Sequence, residues 1–220
     1  FSATGEMSDV SGIVLASTGS VFSAGHDLAE MVEMTEEELR QLFDVCTVAM
    51  RSMAEVPQVV VAQVQGVATA AGAQLAASAD LIVASEDASF STPGGKGGLF
   101  CHTPMVAVAR QIGRKRAVEL ALTGGEIPAA TALDWGLVNR VVAHDDLESA
   151  TLEFLRYATR GSRYAKGLGK QTLYAQLEMT TDDAYDLAVD VMSRAAATGD
   201  GAEWPRAFTE KRKPEWTHTE

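Results

Sequence analysis

Residues 59–84 (VVVAQVQGVATAAGAQLAASADLIVA) constrain the fold more than any other stretch. Two short β-branched runs, residues 59–64 (VVVAQV) and 81–84 (LIVA), read as buried strands bounded by turn or polar residues. Between them, residues 70–79 (AAGAQLAASA) are almost wholly small, so a helix there can approach its neighbours closely. The same alternation continues on both sides. Residues 12–16 (GIVLA), 88–91 and 137–142 (LVNRVV) read as further strands, and helical patterns lie near 105–112 and 114–122, with Gly113 as a stop. Strands alternating with helices in the first two thirds predict an α/β core with parallel strands. From Asp145 onward the pattern is helical.

Local signals place several helix ends. Asp27 is positioned to cap a short helix, and Thr35 with Glu38 forms a capping box. The helix so opened carries Leu39, Leu42, Phe43, Cys46 and Met50 on one face, up to the break at Pro57. Pro128 suits the first turn of a later helix and Gly136 its end. Asp182 or Asp183 is placed to cap a helix with Ala184, Leu187, Ala188, Val191, Met192 and Ala195 as its stripe. The segment between Pro93 and Pro104 is glycine-rich and irregular.

At 220 residues the chain is long enough for one sizeable core. Its net charge of −12 argues against a general nucleic-acid groove, which needs excess cations, but leaves room for a polyanionic small ligand held by a few. No window approaches a membrane span. Two cysteines, Cys46 and Cys101, exclude a disulfide framework and point to a reducing compartment. The first residues (FSATGEMSD) lack an initiator Met and the regions of a secretory signal, so the chain reads as starting inside a domain.

Chemistry concentrates at two strand-to-helix junctions, SAGHDL (residues 23–28) and VQGVATAAGAQL (residues 64–75). Each presents backbone N–H groups that have no intrahelical acceptor, and two such groups converging would form an oxyanion hole. Ordinary tight connections account for the same residues. Lys96 in PGGKGG is not a phosphate-binding P-loop, because Gly97 stands where Ser or Thr is required. His26, His102, His144 and His218 show no metal-ligand spacing, so no metal is expected.

These two junctions, with ASFSTPGGKGGLFCHTP and LDWGLVNRVV, resemble the crotonase superfamily, the enoyl-CoA hydratase/isomerase family, in order and with little gapping. The resemblance implies a crotonase fold of stacked ββα units with a C-terminal helical region, the first elements of the family pattern falling before Phe1. It divides the chain into residues 1–145, a core with the acyl-CoA site, and 146–220, a helical cover used in trimerisation. It assigns the oxyanion donors to the backbone N–H groups of His26 and Ala71. It sets Ala24, His26, Asp27 and Leu28 against coenzyme A, with Phe208 and Lys211 near the nucleotide. Coenzyme A enters as part of the substrate, with no permanently bound cofactor. The implied partners are an acyl-CoA and further copies of the chain, as a homotrimer or dimer of trimers, in the cytoplasm or mitochondrial matrix as a soluble protein.

Departures from the family pattern carry as much weight. Where its hydratases hold two glutamates, this chain has Gln74 and Gly94, neither of which titrates. The same departure marks a subgroup that keeps AGHDL, an uncharged AAGxQL and GLFC. Gln74 reads equally as a substrate-orienting amide or as a buried amide satisfied by backbone. His102, eight residues after Gly94, is a candidate for proton transfer or a solvated histidine, and Cys101 reads as buried and inert. The expected function is an acyl-CoA enzyme, lyase or isomerase, in fatty-acid or related metabolism, with weak standard hydration. A non-catalytic acyl-CoA binder is the alternative. A serine peptidase of the related Clp architecture lacks its nucleophile, since Ala71 and Gln74 occupy the head of the helix and Ser78 lies too far along it.

Overall fold

The computed structural model describes residues 1–219. In chain order the elements are α1 (Ser2–Gly5), β1 (Gly12–Leu15), β2 (Val21–Ser23), α2 (Leu28–Met31), α3 (Glu36–Glu55), β3 (Val59–Val64), β4 (Val67–Thr69) and α4 (Ala71–Ala77). Next come β5 (Leu81–Ser85), β6 (Ser89–Ser91), α5 (His102–Ile112), α6 (Arg114–Thr123), β7 (Glu126–Pro128), α7 (Ala129–Asp134) and β8 (Arg140–Val142). The helices α8 (Leu147–Ala158), α9 (Arg163–Gln176), α10 (Thr181–Ala197) and α11 (Gly199–Thr209) follow. No helix among the described residues is long and apolar enough to cross a membrane.

Two four-stranded sheets result, in the orders β1-β3-β5-β8 and β2-β4-β6-β7. The pairs β3–β5, β5–β8, β2–β4 and β4–β6 are parallel, as the strand–helix alternation requires, whereas β6 and β7 pair antiparallel. The chain divides into two compact units, one of residues 14–53 and 60–155, the other of residues 1–13, 54–59 and from Arg156 on.

The first unit holds the deepest apolar core. Val60, Val61, Val64, Val83 and Phe90 are fully buried, consistent with strands covered on both faces. β3 has the bounds expected from its apolar run. Residues 67–69, read from sequence as loop, form β4 instead, paired on both sides by β2 and β6. Pro128 ends β7 opposite Ser89 and at the same time caps α7, which opens at Ala129, one residue later than the expected first turn. α5 starts at His102, inside the stretch read as irregular, with Pro104 tolerated in its first turn. The expected caps form: Asp27 Oδ1 accepts from the Ala29 N–H at 2.9 Å, and Glu38 Oε2 accepts from the Thr35 N–H at 2.7 Å. Those Thr35 bonds hold the Glu38 carboxyl below its ordinary value. The apolar stripe of α3 is only half-buried from Leu39 to Met50, and Met53 alone on that helix is fully enclosed.

The second unit is helical and tied by polar contacts from α9 to the segment before β3. Lys170 Nζ on α9 donates to the Gln58 carbonyl at 2.7 Å, and Gln171 Nε2 donates to the Glu55 carbonyl at 2.7 Å. α10 is capped by Thr180, whose hydroxyl accepts from the Asp183 N–H, and not by Asp182 or Asp183. A β-branched hydroxyl one turn earlier reaches the orphan N–H more directly than a carboxylate already inside the helix.

The C-terminal tail folds back on α11. Buried Asp200 accepts from the Thr217 N–H at 2.7 Å and the His218 N–H at 2.9 Å, while Glu203 accepts from Arg212 Nη2 at 2.8 Å. Arg212, which also donates to Glu210, is thus engaged. Burial alone raises the Asp200 carboxyl, but bonds from Ser162, Thr217 and His218 outweigh it and leave the group at about 2, below its ordinary 3.8. Bonds from Arg212 and the Glu215 N–H likewise lower Glu203 to about 2. Between roughly pH 4 and pH 2 the unfolded chain therefore binds more protons than the folded one, so this stabilisation is present above that window and lost as pH falls through it. Tail melting followed by Trp216 fluorescence should shift to lower temperature from pH 5 to pH 2.5. Asp200→Asn should flatten that dependence. An unchanged slope in the variant would contradict the assignment.

Candidate active site

The two junctions singled out in the sequence meet. β2 ends at Ser23 and turns through Gly25, whose φ of +90° only glycine adopts without strain. A Cβ at Gly25 would lie 3.0 Å from the Ala71 nitrogen, so the first turn packs directly on the second. The Ser23 carbonyl in turn rests against Gly72, where any Cβ would be 2.0 Å from its oxygen. Small residues at both junctions are therefore required by the approach of one backbone to another.

Ala70 joins β4 to α4 with φ +51° and ψ −121°, a conformation costly for a residue with a Cβ. Its N–H is held by the Ser91 carbonyl at 3.0 Å, and its own carbonyl accepts from the Gln74 N–H at 3.2 Å. Thus fixed, the turn starts α4 at Ala71. The N–H groups of Ala71 and His26 meet no backbone or side-chain acceptor among the described residues. Ala70→Gly should relieve strain that exceeds the added chain entropy, raising stability by about 1 kcal/mol and the melting temperature by about 2–4 °C. A lower melting temperature would show that the Ala70 conformation is not strained.

Both residues line one cavity of about 490 Å³. Its walls include Ala24, His26, Leu28, Met31 and Phe43 from the first junction and α3, Thr69 to Ala71 from the second, and Pro93, Gly94 and residues 97–104. Most of this surface is apolar, and no Asp, Glu, Lys or Arg lines it. His26 presents its ring edge-on to Phe43 with centroids 5.4 Å apart, and the exposed His102 lies against Phe100 at 5.0 Å.

Of the residues expected at a site, the structure brings together Ala24, His26, Leu28, Ala71, Gly94 and His102, with the buried Cys101 beside them. Asp27 does not line the cavity; it caps α2. Gln74 is buried on α4 and does not line the cavity, and its Oε1 is sealed from solvent without a hydrogen-bond partner. The expectation of a satisfied amide does not hold for that oxygen. Phe208 and Lys211 belong to the other compact unit, where Phe208 lies exposed near Trp204, with centroids 6.5 Å apart. Sequence reasoning missed Phe43 as a wall, since ordinary apolar spacing does not distinguish a cavity wall from core.

Gly94 stands at the head of a short 3-10 turn (Pro93–Lys96) and faces its own loop. A Cβ there would lie 2.1 Å from the Leu99 carbonyl oxygen and 2.7 Å from the Cys101 nitrogen. The loop closes on the space a side chain would need.

Comparison with known proteins places this architecture. The sequence profile described as enoyl-CoA hydratase/isomerase matches residues 3–219. The chain belongs to the enoyl-CoA hydratase/isomerase family. Within that family it is 43% identical over 209 residues to the mitochondrial enoyl-CoA hydratase domain-containing protein 3 of Danio rerio, covering 94% of this chain and 72% of that protein. The human counterpart is 42% identical, covering 97% and 71%. Among solved family structures, an enoyl-CoA hydratase of Mycobacterium smegmatis superposes with a TM-score of 0.95 at 42% identity, over 99% of this chain and 85% of that one. Human enoyl-CoA hydratase domain-containing protein 3 gives 0.92 at 42% identity, over 96% and 84%. The fold is accordingly the crotonase fold of the family, as the four motifs imply.

Proposed function

We propose that this cavity binds an acyl-CoA thioester whose carbonyl oxygen sits between the His26 and Ala71 amides. One observation carries the reading: two unpaired N–H groups from separate turns, held together by the Gly25 and Gly72 contacts, border the same apolar space. Charge develops on a thioester oxygen as the α-carbon becomes enolate-like, and a preorganised donor in related acyl chemistry is worth about 2.7–4 kcal/mol. Ala24 and Leu28, on the cavity wall, then neighbour the coenzyme A arm. Coenzyme A is part of the substrate, and no resident cofactor is invoked.

The chain acts as an acyl-CoA enzyme of lyase or isomerase type, in fatty-acid or related acyl-CoA metabolism, with His102 the side chain positioned for proton transfer. Standard hydration is weak, because Gln74 and Gly94 replace the two glutamates. A second reading, an acyl-CoA binder without turnover, draws on the absence of any carboxylate from the cavity wall. Calorimetry with acyl-CoAs, run beside a product assay, separates the two. Binding heat with product supports the enzyme, heat alone supports the binder, and neither sinks the site.

Assembly as a homotrimer or dimer of trimers is supported by the exposed Tyr185, Val189 and Met192 on α10, a stripe that association would cover. A stable monomer in light scattering would contradict it. The names of the relatives, which are mitochondrial, favour the mitochondrion over the cytoplasm.

A further inference from the structure

β4 and β6 run parallel with Thr69 paired to Ser91, and their hydroxyl oxygens are 2.7 Å apart. The two partners are not equivalent. Ser91 is 93% buried by its 7% relative exposure, whereas Thr69 is half-buried and lines the cavity. A hydroxyl carries one proton and two acceptor sites. Neither side chain has another hydrogen-bond partner among the described residues. If Thr69 donated, the Ser91 proton would be enclosed with no acceptor, an arrangement folded proteins avoid. Ser91 therefore donates to Thr69, and the Thr69 proton is left for whatever occupies the cavity. Donation from Ser91 also polarises the Thr69 O–H, strengthening its next bond.

Thr69 ends β4 two residues before Ala71, across the Ala70 turn, so the two Cα atoms are within about 7 Å and both residues line the cavity. A ligand whose carbonyl oxygen meets the Ala71 amide thus places its nearest chain carbons by Thr69. Resting on the acyl-CoA reading above, we infer that Thr69, oriented by Ser91, is a specificity residue for acyl thioesters bearing a hydroxyl on the chain close to the carbonyl. It donates to that oxygen from one fixed side of the cavity. The wall is otherwise mostly apolar, so a chain lacking the oxygen leaves this donor unpaired.

Calorimetry with butyryl-CoA and with each enantiomer of 3-hydroxybutyryl-CoA tests this. The unmodified protein should bind one enantiomer about tenfold more tightly than the other and than butyryl-CoA, the scale of one neutral hydrogen bond. Thr69→Val, which keeps shape and removes the hydroxyl, should bring both ratios near unity; Thr69→Ser should restore them. Ser91→Ala, which removes the polarising donor, should reduce them. Equal affinities in the unmodified protein, or ratios preserved in Thr69→Val and Ser91→Ala, would overturn the inference while leaving thioester binding intact. If none of the three esters bound, the acyl-CoA reading itself would fall, and this inference with it.

Discussion

Gly94→Glu should return no crotonyl-CoA hydration and should lower the melting temperature. In hydratases with the family pattern, a glutamate at this loop position and another on the small-residue helix manage water and the α-carbon proton. Each such group is typically worth about 10²–10⁴ in rate, so a chain lacking both should fall orders of magnitude below them. Restoring the residue type does not restore the group. Any side chain at position 94 collides with the Leu99 carbonyl and the Cys101 amide, which belong to the loop walling the cavity. Backbone cannot yield as a flexible side-chain tip does, and overpacking of this kind costs about 1–3 kcal/mol. Adding Gln74→Glu should not rescue hydration, because position 74 is sealed from the cavity. Crotonyl-CoA turnover by the double variant at rates usual for the family would show that the loop re-forms around an added carboxylate.

Gly72→Ala should abolish acyl-CoA binding and cost about 3 kcal/mol, the upper end of overpacking, or roughly 6–12 °C in melting temperature for a chain this size. A single methyl has this effect because of what it meets. The Ser23 carbonyl oxygen lies 2.0 Å from the position that methyl would occupy, so β2 and α4 must separate. Their contact carries the Gly25 turn onto the Ala71 nitrogen, and losing it spreads the two amide donors apart. Thermal melts and calorimetry on the same sample provide the check. A variant that melts normally and binds acyl-CoA would mean that the two junctions need not touch.

Residues whose neighbours are close in sequence declared themselves. The Thr35–Glu38 capping box, the Asp27 cap and the bounds of β3 all follow from side chains within a few positions of one another. The three-residue strands β2 and β4 are too short for a two-residue period to emerge, and are held by pairing with residues far along the chain. Pro128 fits the φ of a helix start and of a strand end alike and serves as both; the helix start was legible, the strand end rests on pairing with Ser89 far along the chain. At the site, the glycines and small residues of both junctions were legible as backbone requirements. The sealed position of Gln74, the closure of Leu99 and Cys101 over Gly94, and the Ser91–Thr69 hydrogen bond were not. Each depends on which surface a side chain meets across the fold, and composition does not encode that.

The central claim concerns two backbone amides, and nitrogen chemical shifts read them directly. With the His26 and Ala71 amides assigned, a saturating acyl-CoA thioester should move both resonances in the direction of a new hydrogen bond. A thioether analogue of the same chain length, lacking the carbonyl oxygen, should leave both near their free positions. A thioester that binds and shifts neither amide would contradict the account.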